Sequence, residues 1–217
     1  MNKQTLLAAL LAATAFAASA DPTTVVIDDF NSGNQSIGFG AGSSIGTKTD
    51  DANAIRSLSS TLLTMAPPVQ ALAQVNSGVL DITNGSGENT TVTVSWNLPS
   101  SLLPSSAIDA MFSMMVINSD ANPTNMHFSL DGKTIGDYSL PGNVNNQIYS
   151  FGLGDFDLSQ GGTLTMTLSG ADGWDMTLDS LGVSYDTPPN NVPEPASLAL
   201  VGISLLGMRV ARRSLRK

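Results

Sequence analysis

The chain has 217 residues, 41% hydrophobic and 12% charged, with a formal net charge of −9, no cysteine and one histidine. This composition excludes thiol catalysis, thiolate-bound zinc and disulfide stapling, and the acidic balance excludes nucleic acid as a partner. Any Ser-His-Asp triad or histidine-ligated metal would have to use His127.

The first twenty residues carry Lys3, an apolar run from Leu6 to Ala18 and the small-x-small ending Ala18-Ser19-Ala20. This is the pattern of a secretory signal peptide, so signal peptidase is expected to cut after Ala20 and residues 1–20 to be lost. The body that follows, residues 21–186, sets Lys48, Arg56 and Lys133 against sixteen aspartates and Glu88, a balance of about −14 that repels anionic polymers and favours neutral ones or cations.

Through this body the apolar residues recur mostly with period two, in short runs bounded by Gly, Asn, Pro and Ser, which predicts strands. Thr24 to Phe30 is the first, followed by a glycine-rich loop to Thr47. Ala54 to Met65 and Val69 to Val75 are separated at Pro67-Pro68. Ser77 to Thr83 is expected to pair with Thr90 to Leu98 across Asn84-Gly85-Ser86-Gly87. In the second arm Val92, Val94, Trp96 and Leu98 share the core face, and Thr91, Thr93, Ser95 and Asn97 share the wet one.

Ile108 to Asn118 is apolar almost without a break, which predicts a central strand covered on both faces. Asn125 to Leu130 and Lys133 to Leu140 flank the hairpin signal Asp131-Gly132, with His127 on the exposed face opposite Met126, Phe128 and Leu130. Gln147 to Leu158 and Gly162 to Ser169 supply two more strands. From Trp174 onward the apolar parity reverses between Leu178 and Leu181, so a bulge is expected near Asp179-Ser180. These short strands, with no helical pattern among them, predict an all-β antiparallel two-sheet β-sandwich.

Residues 187–192 read as a linker, and residues 193–217 combine three parts in order. Pro193-Glu194-Pro195 is held extended, Ala196 to Met208 is an apolar run, and Arg209, Arg212, Arg213, Arg216 and Lys217 form a basic end. A helix from Ala196 to Ala211 is only about 24 Å long, a short transmembrane helix for a hydrocarbon core of about 30 Å. The basic end is expected to stay cytoplasmic.

In these three features the tail resembles the PEP-CTERM sorting signal of Gram-negative bacteria. The resemblance implies recognition by an exosortase, a membrane-embedded cysteine protease, with transient residence in the inner membrane. Cleavage near the tripeptide would then release or attach the body at the cell surface. Glu194 is by this resemblance a recognition residue. The setting implied is exopolysaccharide and biofilm production.

The body resembles a jelly-roll carbohydrate-binding module at Val26-Ile27-Asp28-Asp29-Phe30 and at Trp174 to Val183. That resemblance implies a structural Ca²⁺ shared between the first and last strands, by Asp28 or Asp29 with Asp179. Sugar binding uses an exposed aromatic plane, for which Trp174 in the polar turn Ala171-Asp172-Gly173-Trp174-Asp175 is the candidate; the alternative is a ring packed at the rim of a strand end. A non-catalytic surface protein that binds extracellular polysaccharide is the expectation. A structural adhesin without sugar binding and a hydrolase using Asp155 and Asp157 or Asp172 and Asp175 are the alternatives.

Overall fold

The computed structural model describes residues 22–38, 46–48, 53–68 and 70–188. The leader, most of the linker, and the sorting residues Pro193, Glu194, Pro195, Arg209, Arg212 and Arg213 lie outside them. The strands in chain order are β1 (Thr23–Asp28), β2 (Gln35–Gly38), β3 (Thr47–Lys48), β4 (Ile55–Thr64), β5 (Leu72–Asn76) and β6 (Val79–Thr83). They continue with β7 (Asn89–Leu98), β8 (Ile108–Ser119), β9 (Thr124–Leu130), β10 (Lys133–Leu140), β11 (Asn145–Gly152), β12 (Gly162–Gly170) and β13 (Met176–Asp186).

Two antiparallel sheets form, as the period-two pattern predicts. One has the order β11-β8-β13-β6-β5-β2 with β1 also on β13, and the other has the order β10-β9-β12-β7-β4-β3. Between them lie the inward residues of each strand, among them Val92, Val94, Trp96, Phe112, Met114, Phe128, Met166 and Val183. Burying each such side chain is worth about 1.5–3 kcal/mol, which is what orients every alternating strand the same way.

The parity reversal in β13 is present as expected, with register shifts against β8 that include one between Leu178 and Ser180. Its position has a reason. Before the shift β13 is flanked by β6, through Met176 to Leu178, and after it by β1, through Leu181 to Tyr185. The extra residue lets one strand serve two neighbours in turn. The Asp131-Gly132 hairpin is also present, with φ of 49° and 76° at the two turn residues and Lys133 opposite Leu130.

Besides β2, a strand paired with β5 inside the stretch expected to be loop, two expectations are corrected. β6 does not pair with β7: it pairs with β5 across Ser77-Gly78, whose φ values of 54° and 82° make the tight turn, and β7 lies in the other sheet between β4 and β12. The segment from Asn84 to Glu88 is therefore an arch between layers. Glu88, fully buried, fixes it by accepting from the backbone N–H of Gly85 at 2.6 Å and of Gln70 at 2.8 Å. The second correction concerns β8, which is central but covered on one face only: Phe112, Met114 and Val116 are buried, whereas Met111 is 40% exposed.

A buried ion pair joins the layers. Arg56 on β4 and Asp28 on β1 are both essentially without solvent contact, and Arg56 Nη1 donates to the two Asp28 oxygens at 2.7 and 2.6 Å. The guanidinium's other donors reach Gln35 Oε1 at 2.9 Å and the carbonyls of Ser32 and Gly33 at 2.8 and 2.5 Å, so all five N–H groups have acceptors. Asp28 in turn accepts from Trp96 Nε1 at 2.7 Å and from the Phe30 N–H at 2.9 Å.

Candidate binding face

The outer face of the six-stranded sheet is built from the residues that alternation turns away from the core. On β7 these are Thr91, Thr93, Ser95 and Asn97, and on β12 they are Thr163, Thr165, Thr167 and Ser169. The register sets them directly opposite one another, Thr93 against Thr167 and Ser95 against Thr165. The rows continue onto β4 through Ser57, Ser59 and Thr61, and onto β9 through His127 and Asn125, with Ser129 in the same register but buried. One row runs across five strands: Ser59, Thr93, Thr167, His127, Asp137.

Strands about 4.8 Å apart and outward residues about 6.8 Å apart along each strand make this a regular lattice of hydroxyls. Thr93 Oγ1 and Thr167 Oγ1 are 3.3 Å apart, and Ser95 Oγ and Thr165 Oγ1 3.2 Å apart. Each hydroxyl donates once and accepts twice, so a pair bonded to each other still has capacity for a ligand.

At the β9–β10 end the face dips into an open hollow of about 430 Å³ lined by Asn125, His127, Asp137, Ser139, Thr167 and Ser169. His127 is 41% exposed, as its parity predicts, and its ring Nδ1 donates to Asp137 Oδ1 at 2.7 Å. Among the described residues no hydroxyl is hydrogen-bonded to the imidazole, so the nucleophile-to-base contact of a triad is not formed.

A second hollow of about 370 Å³ is lined by Leu130, Asp131, Lys133, Asp155, Phe156 and Asp157. The Asp157 carboxyl is held below its ordinary value by the hydroxyl and backbone N–H of Ser159. A glycosidase's acid residue needs the opposite shift. Asp175 does shift upward, chiefly through desolvation, opposed by the Asn84 N–H and reinforced by the charges of Asp120 and Asp81.

That upward shift fixes a sign. The folded state favours protonated Asp175, so its charge costs stability at neutral pH, and the cost shrinks as pH falls through the raised value and is gone below the ordinary carboxylate value. Asp175→Asn, which keeps an acceptor for Asn84, is expected to raise the melting midpoint at pH 7 by about 1–3 °C after solvent screening. The difference from wild type should shrink as pH is lowered and vanish only below the ordinary carboxylate value, in thermal melts at about pH 2 to 3.

The sequence-derived ligand residues are placed differently from expectation. Trp174 is fully buried, with Nε1 donating to the Thr90 carbonyl at 3.0 Å, because the Ala171-to-Trp174 turn folds the ring under Gly170 rather than out into water. It is a core residue and not a sugar platform. Asp28, Asp29 and Asp179 do not assemble. Asp28 is committed to Arg56 and Trp96, Asp29 takes the backbone and side-chain N–H groups of Asn31 at 2.9 and 2.5 Å, and Asp179 is exposed on β13. Among the described residues no group of three or more metal-ligating side chains comes together.

Arg56 was invisible as a core residue because a basic side chain in a strand reads as solvent-facing. Its parity with Leu58, two positions on, was the available signal. The hydroxyl face was legible as the wet side of β7, but its extent depends on the order of strands around it.

Residues 191–217 match the PEP-CTERM protein-sorting motif. The chain is thus an exported protein that carries the signal for exosortase processing. Among curated proteins none matches the chain in sequence. Among solved structures it is similar to a family 35 carbohydrate binding module from Clostridium thermocellum, with 11% identity, a TM-score of 0.39, and coverage of 76% of this chain and 98% of that one. It is also similar to a mutant family 29 module complexed with mannohexaose, at 14% identity and a TM-score of 0.40 over 76% of this chain and 93% of that one. A family 11 module from Clostridium thermocellum in complex with a mixed-linked tetrasaccharide gives 12% identity and a TM-score of 0.37 over 76% and 96%.

Proposed function

We propose that this chain is a non-catalytic component of a polysaccharide-bearing cell surface or biofilm matrix, freed from the membrane by exosortase and contacting neutral polysaccharide through the hydroxyl lattice. The observation that carries the reading is the run of Ser, Thr and Asn in register across β4, β7, β12 and β9. Rows of groups that both donate and accept match the rows of hydroxyls on an extended sugar polymer, and the body's negative charge disfavours an anionic one.

Among the described residues β4, β7 and β12 carry no Trp, Tyr or Phe on that lattice, so each contact there is weak and retention depends on many contacts along one polymer. His127 is paired with Asp137 and not with a hydroxyl, which favours binding over a histidine-based hydrolysis.

The test uses the compact unit Asp21–Thr187 on immobilised polysaccharide from the producing cells. Wild type is expected to be retained, and Thr93→Val and Thr167→Val each to lower retention about two- to tenfold, the worth of one or two hydrogen bonds. Passage of wild type without delay would defeat the binding reading, and release of reducing sugar would reinstate the hydrolase. The intact mass of protein recovered from cells checks the sorting step, since the mature chain should lack both residues 1–20 and the arginine-rich end.

A further inference from the structure

We infer that the free edge of β11 is a self-association site, at which two copies of this chain pair β11 to β11 antiparallel and extend the seven-stranded sheet across a twofold axis. β11 is an edge strand: its partner among the described residues is β8, with no register shift from Asn145 to Gly152. Its other side presents backbone N–H and C=O groups, and a strand edge is chemically complementary to a second strand edge.

What distinguishes β11 is that it lacks the usual protection. The neighbouring edge strand of the other sheet, β10, carries Lys133 and Asp137 and is interrupted by a register shift between Thr134 and Gly136. Charges and bulges of that kind are how edges are kept from pairing. From Tyr138 to Gly154, a stretch that contains all of β11, no side chain is charged. Ile148, at 70% exposure, leads the exposed large hydrophobic residues, and opposite it on β8 stands Met115, with Met111 at 40% exposure further along. From Gln147 to Gly152, past the left-handed Asn146 (φ 47°), the strand is paired residue by residue with β8. Phe151 packs on Tyr138 and Phe128 with ring centroids 4.3 and 5.8 Å apart, tying β11 to the other layer.

The occupant follows from charge. Two bodies of about −14 repel over most of their surfaces, and a twofold contact brings like patch to like patch, so a self-contact is tolerated only where the patch is neutral. In an antiparallel pair directly opposed residues point to the same face. Ile148 of one copy then meets Ile148 of the other, and the Met111–Met115 strip becomes continuous across the junction. The inference is independent of polysaccharide binding.

Sedimentation velocity on Asp21–Thr187 tests it. Wild type is expected to show a concentration-dependent monomer–dimer equilibrium that strengthens when salt is raised from low levels to about 0.5 M, because salt screens the repulsion and leaves apolar and backbone contacts intact. Ile148→Lys should weaken association at least about tenfold. Leu63→Lys, the same change at a residue 62% exposed on β4, should leave it unaltered. Amide exchange needs no variant and should show Asn145 to Gly152 gaining protection as wild-type protein is concentrated. A species that stays monomeric up to millimolar concentration, equal loss in Leu63→Lys, or unchanged exchange in β11 would each overturn the inference.

Discussion

Arg56→Met is expected to cost the sandwich about 3–5 kcal/mol, because it leaves the Asp28 carboxylate buried without its counter-charge. Methionine fills most of the volume, so the loss reports the charge and not a cavity. Asp28→Asn alone should be nearly as damaging, since Arg56 then keeps only neutral acceptors. The double variant Asp28→Asn with Arg56→Met should recover much of the loss: the asparagine carbonyl still accepts from Trp96 Nε1, and no charge remains in the core. Urea unfolding of Asp21–Thr187 measures all three. Additive losses in the double variant would mean that the two residues stabilise the layers separately and that the ion pair is not the tie between them.

Trp174→Ala should cost a further class of stability, about 3–5 kcal/mol, through a cavity at the end of the core and loss of the Nε1 bond to Thr90. The ring is wedged against Gly170, where an added Cβ would lie 2.5 Å from Trp174 Cγ, so Gly170→Ala should destabilise by the opposite route, overpacking. Both are read from thermal melts. If Trp174→Ala instead left the melt unchanged and abolished polysaccharide retention, the ring would be the sugar platform that its position in a polar turn suggests.

These two residues show where the sequence was and was not legible. Alternation located the strands, the face of each that meets the core, and the bulge in β13, because burial imposes period two on every strand regardless of its neighbours. It said nothing on which strands are neighbours. A hairpin and an arch between layers demand the same alternation in their two arms, so the pairing of β6 could not be decided by pattern. The Ser77-Gly78 turn was the local clue. Trp174 went wrong for a related reason: the polarity of its flanking residues describes the turn they make, and the fully buried ring hangs beneath it.

The candidate face was partly legible. Thr91, Thr93, Ser95 and Asn97 were visibly on the wet side of one strand, but a binding surface needs several strands in register, and adjacency comes from topology. The residues expected to hold calcium were chosen without the same information. Proximity of first and last strands was correctly anticipated, since β1 does pair with β13, but one carboxylate was already claimed by Arg56.

The place of β13 governs how the body can form. It is the last strand of the body, and β8, β6 and β1 all hydrogen-bond to it. Without residues 176–186 the seven-stranded layer is left as the separate pieces β11-β8, β6-β5-β2 and β1. A chain shortened before Met176 therefore has no complete layer for the other sheet to pack on.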